Sequence, residues 1–231
     1  MSSSNTNNNN NNNSNSTTII NNLSSVTKLT HQFYGLRHGQ SLANVAKIIS
    51  SDPAISTIAH GLSEVGKAQV RSSAVQFCSD YQQEQQQQQD GGDGGDGGGG
   101  ETTTDGTEIP TRVCKGVAIY TSDFTRARET AAIFTSELTA AGIPLYSPNK
   151  AIEDVRLRER YFGSWNGGGD EHYQDVWNLD KDDPNHTEWG VESVNSVVMR
   201  TSQTVLDIED ALSRDVGGEE EEDGTVWKVI F

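Results

Sequence analysis

The chain has 231 residues, with 17 Lys and Arg against 33 Asp and Glu, for a formal net charge of −16. That balance argues against a nucleic-acid partner, because phosphate backbones need a broad basic face. No run approaches the roughly 20 apolar residues of a membrane span, and the polar N-terminus has neither region of a signal peptide, so the expectation is a cytoplasmic protein with no membrane partner.

In chain order, residues 1–30 are rich in Asn, Ser and Thr, with few apolar residues such as Ile19, Ile20 and Leu23. They bury too little to offset ordering entropy and are read as a disordered tail. Residues 31–231 then form one domain. Gln32 to Leu36 reads as a strand, with Phe33 and Tyr34 supplying β propensity, and it runs into Arg37-His38-Gly39. A helix is expected to start at Ser63 as N-cap and to lead towards Phe77. A low-complexity insertion, 82–106, first Gln-rich and then built of Gly-Gly-Asp units, is read as a flexible linker.

Gly116 to Tyr120 is an apolar run typical of a buried parallel strand, closed by Thr121-Ser122-Asp123. The helix after it runs from about Thr125 towards Ala141, with Ala127, Thr130, Ala131, Phe134 and Leu138 on one face and Gly142 and Pro144 ending it. Ser122 is read as the cap of that helix and not as a phosphate ligand. A second long helix is expected from Glu192 to Leu212, an acidic loop at 217–224, and a last strand from Val226 to Phe231. Without the tail, insertion and acidic loop, roughly 165 residues remain, enough for one domain with a core. The fold class is therefore α/β, a three-layer sandwich around a mostly parallel sheet. Cys78 and Cys114 have neither metal-ligand spacing nor disulfide-scaffold density and are read as reduced thiols.

Ligands in such sheets sit at the carboxyl ends of the strands. Two motifs fall there independently: Arg37-His38-Gly39, and Ser122-Asp123 leading to Arg126. Gly39 permits close backbone approach, Ser41 and Asn44 offer neutral donors, and Arg37 and Arg126 offer planar forks suited to phosphate oxygens. A neutral imidazole beside two guanidinium groups can attack phosphorus directly, because the cations offset the repulsion of a phosphate monoester. Arg-His-Gly alone is a weak motif. For Asn44 the bland alternative is a turn cap. Glu159 stands among Arg156, Arg158 and Arg160, where a solvated ion-pair patch is the bland alternative. His172 and His186 lack zinc-type spacing and are read as surface residues; no metal and no cofactor are expected.

Four segments, in order, resemble the histidine phosphatase superfamily that includes the phosphoglycerate mutases. They are Arg37 to Asn44, Leu62 to Gln69, Thr121 to Ala127, and Leu157 to Gly163. The resemblance implies that His38 is the phosphorylated nucleophile, that Arg37, Asn44 and Arg126 hold the phosphoryl group, with Ser41 beside them, and that Glu159 is the acid/base. The implied activity is phosphomonoester hydrolysis through a phosphohistidine, on a small phosphorylated substrate. The alternatives are a phosphoglycerate mutase-type phosphotransferase and a catalytically inactive phosphate-binding protein.

A mutase must bind a second anionic group on its substrate. From Tyr161 to Met199 the chain carries eight acids against one base, Lys181, and the mutase-like pattern has His where Tyr161 stands, so a phosphatase fits better. Trp165, Tyr173, Trp177 and Trp189 offer a wall for the leaving group, with core packing the expected use of at least two. The resemblance also implies a second His after the last core strand. None of His31, His60, His172 or His186 has that context, and the expectation is a C-terminally incomplete domain.

Overall fold

The computed structural model describes residues 21–90, 113–148, 150–215 and 225–231. Among them, strands β1 (Gln32–Tyr34), β2 (Val113–Thr121), β3 (Ile152–Glu153) and β4 (Thr225–Ile230) form one parallel sheet in the order β1-β4-β2-β3. Six α-helices accompany them: α1 (Leu42–Ala46), α2 (Pro53–Ser56), α3 (Glu64–Asp90), α4 (Thr125–Ala140), α5 (His172–Asp180) and α6 (Val194–Asp215).

The two central strands are apolar on both faces because both faces are covered. Val117 and Ile119 of β2, with Val226 and Ile230 of β4, pack against Val70, Ala74 and Cys78 of α3 and Ala131, Phe134 and Leu138 of α4. On the opposite face, Ala118, Tyr120, Trp227 and Val229 meet Ile208 and Leu212 of α6. Alternate residues thus serve opposite layers, as the pleat requires, and the expected three-layer α/β sandwich is what forms. Both cysteines are free and buried. A third, smaller cluster of Ile49, Phe162, Val176 and Val191 lies beneath α5.

Several expectations need correction. The helix at Ser63 does not stop near Phe77: α3 continues through the Gln tract to Asp90, so only residues 91–106 of the presumed linker lie outside the described residues. Gln is a good helix former, Tyr81 is buried in the core, and Glu84 pairs at 2.8 Å with Lys228. Lys228 is itself buried on β4 and is hydrogen-bonded to the Tyr34 hydroxyl at 3.0 Å. Burial presses its pKa down, but Glu84 and Tyr34 outweigh this and raise it.

Residues 21–30 of the presumed tail are also structured. Asn22 N–H donates to Ser202 Oγ of α6 at 3.3 Å, and Glu209 accepts from the backbone of Thr30 and His31. Residues 1–20 and the acidic loop 217–224 lie outside the described residues. The short helix α5, on a Gly- and Asp-rich stretch, was not anticipated at all.

Candidate active site

The loop after β1 is fixed before any side chain matters. Leu36 N–H donates to Phe231 O at 2.6 Å, which holds the end of β1 against the end of β4. Beyond it, Gly39 lies directly against Gly66 in the first turn of α3: a Cβ on either would run into the backbone of the other segment. Ser63 caps α3 by accepting from Gly66 N–H, while its own N–H and hydroxyl both bond Gln40. Gln40 N–H reaches Gln69 Oε1 at 2.9 Å. The residues after His38 are thus clamped to α3, and those before it to the end of β4.

His38 is held at both ring nitrogens. Nδ1 lies 2.7 Å from Gly39 O, a contact that places a proton on Nδ1, and Nε2 accepts from Arg126 Nε at 3.1 Å. Burial lowers the His38 pKa, the Gly39 carbonyl opposes that, Arg126 and Arg37 lower it further, and Glu159 raises it. The result is a neutral imidazole with its lone pair on Nε2.

Arg126, the second residue of α4, is 5% exposed and packs over the Phe124 ring. Its Nη1 is buried with no hydrogen-bond partner. Buried polar groups are nearly always satisfied, so a cationic donor left unpaired here makes Arg126 a candidate anion-binding residue.

The other expected phosphate-binding residues divide. Arg37 and Asn44 line the same cleft as His38 and Arg126. Asn44 Oδ1 accepts from Ser41 N–H and Ser41 Oγ, leaving its NH₂ group as the donor it can offer. Ser41 is the N-cap of a capping box at the start of α1, and its buried hydroxyl is used up on Asn44. It thereby holds the Asn44 side chain in place at the cleft. The Ser41/Asn44 spacing was the signal for that cap. Ser122 reverses the other way: the N-cap position of α4 is Phe124, with no side-chain cap, and Ser122 is a buried residue lining the cleft.

Glu159 also lines this cleft. Its three neighbouring arginines are engaged elsewhere: Arg156 with Asp154 and Asp207, Arg158 with both oxygens of Asp123 at 2.7 and 2.5 Å, and Arg160 with both oxygens of Asp180 at 2.6 and 2.9 Å. Among the described residues Glu159 has no ion-pair partner, so the solvated ion-pair patch does not describe it. Its Oε1 accepts from Arg160 N–H at 2.8 Å, and its charge acts on His38 and Arg126.

Asp180 further accepts from His186 at 2.7 Å. That corrects the reading of His186 as a surface residue, since its side chain is 8% exposed. His172 stacks on Trp165 at 3.7 Å and pairs with Asp175. Neither histidine lines the cleft, where His38 is the one imidazole among the described residues. Among those residues no group of three or more His, Cys, Asp or Glu is placed to hold a metal ion. No helix among them is long and apolar enough to cross a membrane.

The cleft has a volume of about 730 Å³ and opens at the carboxyl ends of β1, β2 and β4. Its far wall includes Tyr173 and Trp177, while Trp165 and Trp189 pack edge-to-face away from it. Sequence reasoning left the four aromatics as one undivided set. Spacing could have separated them, since Tyr173 and Trp177 are four residues apart on one helix.

Comparison with known proteins agrees with this architecture. Residues 111–216, which contain Arg126, Glu159 and Tyr173, match the model of the histidine phosphatase superfamily (branch 1). A mycobacterial glucosyl-3-phosphoglycerate phosphatase solved with VO3 is 22% identical, with 85% of this chain and 72% of that one covered at a TM-score of 0.50. The Bacillus stearothermophilus protein YhfR is 19% identical, with 86% and 72% covered at a TM-score of 0.49. No curated protein matches the chain.

Proposed function

We propose that the protein hydrolyses small phosphomonoesters through a phosphohistidine at His38. The observation that carries this reading is the pairing of a neutral imidazole, its Nε2 facing Arg126, with a buried guanidinium nitrogen that has no partner. A phosphate that brings its oxygens to the Arg126 fork takes over the Nε–H and releases the Nε2 lone pair. Arg37 and the Asn44 amide, in the same cleft lining, complete the cradle.

Nε2 then attacks phosphorus: a P–N bond forms, the ester P–O bond breaks, and the Glu159 carboxyl gives its proton to the leaving oxygen. In the second half, water attacks the phosphohistidine and gives a proton to the Glu159 carboxylate. The P–N bond breaks, and inorganic phosphate and free His38 are regenerated. Throughout, Gly39 O holds the Nδ1 proton and so keeps Nε2 as the reacting nitrogen.

Hydrolysis is favoured over a mutase because the further cation in the cleft lining, Arg160, is bound by both oxygens of Asp180 and is not free for a second anionic group. Rapid-quench mass spectrometry during turnover of phenyl phosphate tests the covalent step. The expected outcome is acid-labile phosphate on the peptide carrying His38, absent in His38→Ala. Label on another residue, or equal turnover by the variant, refutes it.

A further inference from the structure

The phosphoryl group needs one end of the cleft, and the rest is left to the alcohol that carries it. α5 supplies that part of the wall. Tyr173 and Trp177 lie one helical turn apart, and their rings stack at 5.5 Å between centroids with 12° between planes. Tyr173 is braced from behind by Phe162, edge-on at 4.8 Å. Its phenol lies within electrostatic reach of Glu159, Arg126 and Asp170, so the inner end of the stack adjoins the acid that protonates the leaving oxygen. Trp177 carries the stack outward and is 49% exposed, although it lines a concave site. An exposed indole on a surface is ordinary. One that extends a ring stack away from a nucleophile offers a face to a third ring.

Charge narrows the ligand further. Arg37 and Arg126 are committed to the phosphoryl group and Arg160 to Asp180, while Asp170 adds a carboxylate to the same lining. A second anionic group on the substrate meets no free cation among these and one added negative charge.

We propose that Tyr173 and Trp177 form a leaving-group platform selecting phosphomonoesters of aromatic alcohols without a second anionic group. The chemistry at His38 is that of the hydrolysis reading, on which this proposal rests.

The test separates the two ideas by using phosphonates, which have no ester bond to break. Calorimetry on the wild-type chain is expected to show phenylphosphonate binding about five- to tenfold tighter than methylphosphonate. It should also show 4-phosphonobenzoate, which adds a carboxylate to the ring, binding more weakly than phenylphosphonate. Trp177→Ala is expected to reduce the phenyl preference to twofold or less, and Trp177→Phe to keep most of it. Equal affinity for the phenyl and methyl ligands, a preference untouched by Trp177→Ala, or tighter binding of the carboxylated ring overturns the platform. Equal phosphate release from phenyl phosphate by wild type and His38→Ala refutes the hydrolysis reading instead and leaves the phosphonate preference standing. Failure to bind either phosphonate removes the anion site and both readings with it.

Discussion

The two walls of the cleft are held together by different forces. The wall carrying His38 is fixed mainly through its main chain: β1 on β4, Gly39 on Gly66, and the Gln40 carbonyl on Ser63 N–H, with the Gln69 side chain on Gln40 N–H. The wall carrying Glu159, Tyr173 and Trp177 has main-chain bonds too, such as Asp170 N–H to Lys47 O and Glu192 N–H to Tyr161 O, but adds the side-chain pairs Arg158–Asp123 and Arg160–Asp180–His186 and the ring contacts around Phe162. A phosphoryl group is the same in every substrate and suits a rigid cradle. The group that leaves with it differs, and side-chain contacts are the kind that change without disturbing a sheet.

The largest effect that tests this contrast comes from the inner wall. Arg126→Ala removes both the Nε donor to His38 and the unpartnered Nη1. Loss of one such preorganised donor lowers kcat by about 10²- to 10³-fold, or roughly 3 to 4 kcal/mol. Arg126→Lys should recover little, because an ammonium lacks the planar fork. Steady-state phosphate release from phenyl phosphate measures both, and near-normal turnover by either variant would place the phosphoryl site elsewhere.

Next comes the outer wall. Arg160 and Asp180 have side chains only 10% and 15% exposed. Asp180→Asn is expected to destabilise the protein by about 3 kcal/mol, because removing one partner of a buried pair strands the other. At this size that corresponds to a drop of about 6 °C or more in thermal midpoint. A shift below about 2 °C would show that the apolar cluster under α5 holds this wall and that the ion pair is incidental.

The smallest effect joins the two walls at one imidazole. Burial, Arg126 and Arg37 hold the His38 pKa below its ordinary 6.5, while Gly39 and Glu159 act the other way. The pH at which His38 titrates by NMR should therefore move up in Arg37→Gln and down in Glu159→Gln. Shifts of the same sign in the two variants contradict the arrangement. Because the folded-state value is the lower one, the folded protein binds fewer protons than the unfolded chain between the two pKa values. The stability this group contributes is present above about pH 6.5 and lost as pH falls towards the depressed value.

How legible each wall was in the sequence follows the same division. β2, β4 and the buried face of α4 could be read because an apolar run or a helical spacing is local information. His38, Arg37 and Arg126 could be placed because they sit at strand ends. The pairing of Arg160 with Asp180 and His186 joins positions up to 26 apart through a loop and a short helix, and nothing local separates it from a row of surface charges. The Gln tract misled for a related reason. Composition suggested a linker, whereas Tyr81 in the core and Glu84 on buried Lys228 tie that stretch to the sheet.

The position of β1 in the sheet has a kinetic meaning. Gln32 pairs with Lys228 across 196 residues, and among the described residues β1 has no strand neighbour other than β4. Contacts of such separation form late, because loop-closure entropy is lost before they stabilise anything. During synthesis β2, β3, α3 and α4 can assemble while β1 waits for β4 to emerge. The His38 loop therefore meets α3 on one side early and β4 on the other late, so a nascent chain has the helix that supplies Arg126 well before it has a fully aligned His38.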